Sequence, residues 1–476
     1  MKKFYLTTPI FYPNAKLHMG HAYTTTISDI LVRYHKLQGE HTYFLTGSDE
    51  NTQKMVDSAR KDGKEPLVFL DEIVSNFANL FKDLQISYDQ FIRTTNQEKH
   101  WPGAQKLWKK LVESGDIYKK EYEGLYCVGH EAFVTEKDLV DGKCPDHGAT
   151  PENIKEENYF FRLSKYQDTI REKIESDEML ITPQSRKNEI LSFISQGLSD
   201  VSFSRPRRAD WPQGLGVPVP GDESQVMYVW CDALANYITA LGYANEDRLY
   251  NEFWPADVHV IGKDILRFHA AIWPGMLLSA GIPLPKTLLV HGFITSGGKK
   301  MSKSLGNVID PEELVAEYGS DAVRYFLARH ISQFEDGDIT REAFKEAYNA
   351  DLANGLGNVA ARILQLAQTH LEGPVELQKI EFPKDFTEAF DNFEMHKAVG
   401  FVWQKIQELD QSITDTEPFK VVKTDPEKGK ELIRELVRGL AEIAVMLEPI
   451  IPEKAHALWT AIKDNKKPEN LFPRKE

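Results

Sequence analysis

The 476-residue chain has no run of about 18 consecutive apolar residues, so no membrane-spanning helix is expected. Its first residues, MKKFYLTTPIFYP, carry two lysines but no small-residue cleavage site. Export is therefore not expected, and a cytoplasmic protein is the default. Cysteine is scarce. Cys127, Cys144 and Cys231 cannot all pair, and in a reducing compartment a close pair of thiols is more often metal-binding than cross-linked. Positive charge is also short, with 57 Lys and Arg against 72 Asp and Glu, for a formal net charge of −15. That balance argues against a polyanionic partner unless basic residues gather locally, as at Arg205, Arg207 and Arg208 or among the lysines near 300. Internal repeats and low-complexity tracts are absent as well.

The length exceeds that of one ordinary core, so two to four domains are expected. KFYLTTPI reads as a buried strand, and from Met19 the residues Tyr23, Ile27, Ile30, Leu31 and Tyr34 follow helical spacing until Gly39. HTYFLTG is a second strand. Strand, helix, strand is a βαβ unit, which predicts an α/β fold with a parallel sheet and a ligand at the carboxyl ends of its strands. This first half is placed at 1–115. A stretch rich in charge, Gly and Pro interrupts it at 116–225, and strand signals resume at 226–290 around FWPADVHVIGKD and TLLVHGF. After a connecting stretch at 291–345, residues 346–476 read as an all-α domain. There Leu432, Leu436, Leu440, Ile443 and Leu447 mark one helix stopped by Pro449, and EKAHALWTAI resembles another.

Two strings carry the chemistry. His18-Met19-Gly20-His21 stands where the first strand turns into the first helix. Histidines three apart share a helix face, the glycine lets a ligand approach the backbone, and the helix N-terminus favours anions such as ATP phosphates. The plain alternative is a polar helix cap. Lys300-Met301-Ser302-Lys303-Ser304 follows Gly297-Gly298. Two lysines on a mobile loop suit the charge that develops as pyrophosphate leaves; the plain alternative is a solvated lysine loop. A third pattern is Cys127-Val-Gly-His130 with Cys144-Pro-Asp-His147, two Cx2H pairs separated by thirteen residues. Four such donors fit a closed tetrahedral Zn2+ site, one per chain and structural because no open position remains. Cys231 is better read as a small buried hydrophobe.

HMGH near the N-terminus and KMSKS roughly 280 residues later are together the signatures of class I aminoacyl-tRNA synthetases. TTPIFYPNAKLHMGH, TGSDE, MYVWCDALANYIT, VIGKDILRFH and NLFPR, spread along the whole chain, resemble the bacterial methionyl-tRNA synthetase family. The resemblance implies a Rossmann-like catalytic domain with an inserted zinc knuckle, followed by a helical-bundle anticodon-binding domain. It implies ATP binding by His18, Gly20, His21, Lys300, Ser302 and Lys303, with His18, His21, Lys300 and Lys303 as the catalytic set and Mg2+ accompanying the ATP. The methionine pocket falls on Ile10, Tyr12, Asp49, Trp230, Ala233, Leu234, Tyr237, Ile265 and His269. An aromatic and aliphatic box suits a side chain that offers only shape and a polarizable sulfur, and Asp49 would hold the substrate ammonium. An apolar box separates a missing methylene by only about 1–3 kcal/mol, so rejecting homocysteine needs further help.

Anticodon contacts carry over to Asn358 and Arg362, four apart on one helix face. The family's Pro-Trp is here Pro418-Phe419, a smaller platform. Two other departures are His130, where relatives more often have cysteine, and Asn51-Thr52, where they usually have His-Gly. The chain lacks the oligomerising RNA-binding extension of many relatives, so a monomer is expected. The implied reaction joins L-methionine to ATP as methionyl-adenylate, releasing pyrophosphate, and then charges the 3′ end of tRNA(Met) bearing the CAU anticodon, for both initiation and elongation. The carboxylate nucleophile is already ionised at pH 7, so no general base is required. The rivals are a class I enzyme for Leu, Ile, Val or Cys, the larger of which need an editing insertion that finds no room here, and a non-catalytic RNA-binding paralogue. An intact KMSKS together with both histidines argues against the latter.

Overall fold

The computed structural model describes residues 2–14, 16–127, 132–134, 136–145, 148–301 and 306–476. The chain forms two compact units, each assembled from separated stretches of sequence. The first comprises Met1–Lys16, His41–Phe77 and Tyr88–Val290, and the second Leu17–Glu40, Ala78–Ser87 and His291–Glu476.

A six-stranded sheet organises the first unit. Its strands are β1 (Lys3–Phe11), β2 (His41–Ser48), β3 (Gln90–Arg93), β4 (Leu180–Thr182), β5 (Val258–Gly262) and β6 (Thr287–His291), in the order β3-β2-β1-β5-β6-β4. The described registers are parallel. Phe4, Tyr5 and Leu6, Phe44 and Leu45, and Leu288 and Leu289 are buried in consecutive runs, as strands covered on both faces require. The segment expected as an insertion contributes the edge strand β4. It also builds an antiparallel sheet of Ala132–Val134, Ile117–Cys127, Glu152–Phe161 and Val201–Ser202, in that spatial order.

Strand order reverses at β1, with β2 and β3 on one side and β5 and β6 on the other. The crevice at the carboxyl ends of β2, β1 and β5 is where such a sheet takes ligands. A register shift between Thr7 and Ile10 interrupts the β1–β2 ladder there. Pro9, which has no N–H to donate, lies inside that shift, and Ile10 then pairs with Gly47.

In the second unit the helix Met19–Leu37 buries Tyr23, Ile27, Ile30, Leu31 and Tyr34, the stripe its spacing predicts. Tyr34 stacks on Phe390, 4.2 Å between centroids, on the helix Lys384–Asp391. Other helices of this unit are Asn358–His370, Met395–Thr416, Pro426–Leu447 and Pro452–Lys463. The helix Pro426–Leu447 ends two residues before Pro449 and buries Leu436, Leu440, Ile443 and Leu447 as expected, while Leu432 is only partly buried and its neighbour Ile433 takes the inward position in the first half of the helix.

A fully buried pair, Arg324 and Asp29, ties this unit together, with Arg324 Nη1 2.7 Å from Asp29 Oδ2. Arg324 also donates to the carbonyls of Leu84, Pro449 and Ile450. Asp29 accepts in addition from Arg33 Nε and from the Ser87 backbone and hydroxyl. Burial alone would raise the Asp29 carboxyl pKa, but the two guanidinium groups and the Ser87 bonds hold it below the ordinary value. Among the described residues no helix is long and apolar enough to cross a membrane.

Candidate functional site

His18 is the N-cap of the helix Met19–Leu37, in extended conformation. Its Nδ1 accepts from the Gly20 backbone N–H at 3.0 Å, while His21 Nδ1 accepts from the His18 N–H at 3.1 Å. This is a capping box built from two imidazoles. A nitrogen that accepts carries no proton, so each neutral ring is protonated at Nε2. Burial and the neighbouring His18 push His21 well below the ordinary histidine pKa, keeping it neutral at pH 7. The rings lie 3.9 Å apart between centroids. The polar-cap alternative and the phosphate role are therefore compatible, because capping uses Nδ1 and makes Nε2–H the donor. A Cβ at Gly20 would stand 2.9 Å from His18 Cε1, so any larger residue there would have to displace the capping imidazole.

Lys299–Lys300 pairs antiparallel with Ile294–Ser296, and Gly297 and Gly298 form the turn between them. Both glycines have positive φ, 62° and 69°, as a two-residue hairpin turn of type I′ demands. Asp338 Oδ1 accepts from the Gly298 N–H, and Asn307 Nδ2 donates to the carbonyls of Ser296 and Lys300. Lys300 is exposed. Ser302 and Lys303 lie outside the described residues.

The nine residues expected around methionine all belong to the first unit. Ile10 and Tyr12 follow the β1 shift. Asp49, just past β2, is 4% exposed, and its backbone N–H donates to Phe11 O. The next residue, Glu50, is fully buried and accepts from Ser48, from Thr95 and from Arg93 Nε, while its own N–H donates to Thr94 Oγ1. That network pins the turn bearing Asp49. Trp230, Ala233 and Leu234 share the short helix Val229–Leu234, and Tyr237 follows on Asn236–Thr239. Ile265 and His269 come after β5.

His269 Nδ1 lies 3.0 Å from Ile265 O and must donate to it. Burial pushes the His269 pKa down to about 4, so the ring is neutral and Nε2 accepts from Tyr237 Oη at 2.7 Å. Beneath Tyr237, stacked at 4.2 Å, is the buried His259. Its Nε2 accepts from Trp273 Nε1 at 3.3 Å, leaving Nδ1–H to face Thr7 Oγ1 at 2.8 Å.

Several residues in this region were not singled out from sequence. Phe268 stacks on Trp230 at 3.7 Å and 6°, forming one wall. Periodicity does not reveal it, because the helix widens to π geometry over Phe268–Ile272 and changes which residues share a face. The departure at Asn51-Thr52 also finds roles. Thr52 caps the helix Gln53–Lys61 by accepting from Met55 N, and Asn51 turns inward. Two open clefts of about 290 and 680 Å³ meet at Gln97, Gln213 and Gly214, but none of the nine residues lines either. Of the arginines at 205–208, Arg205 is spent on Ser202 and Ser204 and lies over the Tyr228 ring, Arg208 pairs with Asp210, and Arg207 lines the larger cleft.

Cys127 ends the strand Ile117–Cys127 and Cys144 sits in a turn closed by Cys144 N to Ala149 O and Gly148 N to Cys144 O; both are 2% exposed. His130 and His147 lie outside the described residues. Cys231 is buried, and burial together with Asp232 pushes its thiol well above the ordinary pKa, in keeping with an inert apolar role. In the helical segment Asn358 is exposed and Arg362 half-exposed at the start of Asn358–His370, directly after a π-helical stretch, Tyr348–Gly357. Arg362 pairs with Asp410. Phe419 is 38% exposed on the helix Pro418–Thr424, so it is not a core residue.

A parallel sheet with a reversed strand order, histidines capping the helix that follows its first strand, and a lysine hairpin define a class I aminoacyl-tRNA synthetase. The family described as tRNA synthetases class I (M) matches residues 4–150 and 138–364. A methionine–tRNA ligase of Clostridium acetobutylicum is 44% identical over 97% of this chain and 73% of its own length. One from Brucella suis is 42% identical over 96% and 91%. The Mycobacterium tuberculosis methionyl-tRNA synthetase in complex with methionyl-adenylate superposes with a TM-score of 0.91 at 35% identity, covering all of both chains. Its free-state form gives 0.85 at 33% identity, covering 100% of this chain and 99% of that one. The chain belongs to the methionyl-tRNA synthetase family.

Proposed function

We infer that this chain activates L-methionine with Mg-ATP to methionyl-adenylate and pyrophosphate, and then transfers methionine to the 3′ end of tRNA(Met). The observation that carries this is the doubly capped pair at His18 and His21. Two imidazoles with Nε2–H donors at the positive end of a helix suit phosphate oxygens, and burial beside His18 keeps the His21 ring neutral. In this function Asp49 holds the substrate ammonium, Trp230, Tyr237 and their neighbours enclose the thioether, and His18, His21, Lys300 and Lys303 steady the phosphates. Mg2+ enters with ATP.

The test is methionine-dependent exchange of pyrophosphate into ATP. Lys303→Ala is expected to slow exchange by about 100-fold or more while leaving methionine binding nearly unchanged, because its charge acts where pyrophosphate departs. Exchange that is equally fast without methionine, or undisturbed by the substitution, would remove this assignment.

Cys127, His130, Cys144 and His147 would hold one Zn2+, for which two buried thiols are suitable donors, and the ion would supply local folding energy only. Asn358, Arg362 and Phe419 would read the CAU anticodon. The Arg362–Asp410 pair does not prevent this, since a half-exposed ion pair is worth about 0–1 kcal/mol. Stacking a base on an aromatic ring is worth roughly 1–3 kcal/mol, so Phe419→Ala should weaken charging of tRNA about ten- to a hundredfold. Pyrophosphate exchange should stay normal. Because Phe419 is exposed, the melting temperature should hardly move; a large drop that accounts for the lost charging would refute the platform role. A monomeric, cytoplasmic enzyme fits this activity.

A further inference from the structure

We propose that Asn51, Asp232 and His100 are positioning residues that hold the Asp49 turn against the Trp230 helix and thereby set affinity for the amino acid. Asp232 lies on the helix Val229–Leu234 between Trp230 and Ala233, and its side chain is fully buried. His100 Nε2 stands 2.5 Å from Asp232 Oδ1, and Asn51 Nδ2 donates to Asp232 Oδ2 at 2.7 Å. His100 is also fully buried, with Nδ1 2.8 Å from Thr239 Oγ1. Asn51 uses everything it has. Its second Nδ2 proton goes to Thr94 O at 3.0 Å, and its Oδ1 accepts from the Gly216 N–H at 2.9 Å.

Each partner stands on an element that bears a pocket residue or on its immediate support. Asn51 is two residues from Asp49. Thr94, whose carbonyl Asn51 holds, also receives the Glu50 N–H. Thr239 belongs to the short helix that carries Tyr237. A buried carboxylate demands donors, and here one comes from the turn and one from the residue preceding the helix Trp101–Glu113. The Asn51–Asp232 bond thus ties the segment two residues past Asp49 directly to the helix that carries Trp230. The Asn51 amide matches its surroundings in this chain because it supplies two donors and one acceptor at once. A carboxylate of the same shape has no donor and would face Asp232 with like charge.

The inference rests on the proposed pocket, and the experiment separates the two. Exchange kinetics are measured for the wild type, Asn51→Asp, Asn51→Asp with Asp232→Asn, and Asp49→Asn, with melting temperatures for all four. Asn51→Asp is expected to raise KM for methionine at least tenfold and to change KM for ATP by less than about twofold. The double variant restores a donor facing a carboxylate and should recover at least fivefold of the methionine KM. If both KM values move together, or if neither moves in a folded variant, the positioning role is overturned. Should Asn51→Asp fail to fold, Asn51→Ala, which removes the donors without adding charge, is read by the same criteria. An Asp49→Asn protein with unchanged methionine KM would overturn the pocket itself. A raised KM there with no effect at Asn51 would overturn only the positioning role.

Discussion

Asp49→Ala is expected to raise the dissociation constant for methionine by at least about 30-fold while ATP affinity stays within about twofold. Asp49 is 4% exposed on a turn held by the Glu50 network, so in the proposed pocket its carboxylate would face the ammonium group with little water to screen the charge. Truncating one partner of a buried, hydrogen-bonded charge pair costs roughly 2–5 kcal/mol, and each 1.4 kcal/mol is a factor of ten in affinity. Calorimetric titration with methionine, and separately with methioninol, which keeps the ammonium and lacks the carboxylate, measures this. Both ligands should lose the same factor. If methioninol binds Asp49→Ala as well as it binds wild type, Asp49 is not the ammonium partner.

Arg324→Ala should destabilise the second unit by about 3–5 kcal/mol, the usual consequence of removing one member of a buried ion pair. The guanidinium is fully buried and satisfies three backbone carbonyls besides Asp29, so its loss leaves several polar atoms without their donor at once. For a unit of this size the melting temperature should fall by roughly 6–20 °C. Arg324→Lys should recover little, since an ammonium group cannot span the fork that reaches Leu84, Pro449 and Ile450 together. A loss below about 1 kcal/mol would show that water replaces the guanidinium. The helix carrying His18 and His21 lies in this same unit, so pyrophosphate exchange should fall at temperatures well below those that unfold the wild type.

Much of the protein was legible before any coordinates. The strands at KFYLTTPI and HTYFLTG, the stripe from Tyr23 to Tyr34 and the stop before Pro449 all follow from local periodicity and from proline's missing donor. Asp49, Trp230 and His269 were accessible only through resemblance, because no spacing rule connects residues 49, 230 and 269. Phe268 was hidden by a π-helical stretch, whereas the polar helix cap offered by His18-Met19-Gly20-His21 was legible and is formed, with only the second imidazole's part in the capping box left to the structure.

The sequence by itself determined the element types, the α/β class and the two motif strings, since each depends on neighbours within a turn or two along the chain. Only the tertiary structure decided that the helix Met19–Leu37 joins the C-terminal residues in one compact unit, that Leu180–Thr182 becomes a sheet edge, and that Asp232 meets Asn51 and His100. The reason is physical. Burial of a charge or a carbonyl compels it to find a partner, but the rule names only the chemistry of that partner. Which residue hundreds of positions away supplies it is set by how the packed elements bring their faces together.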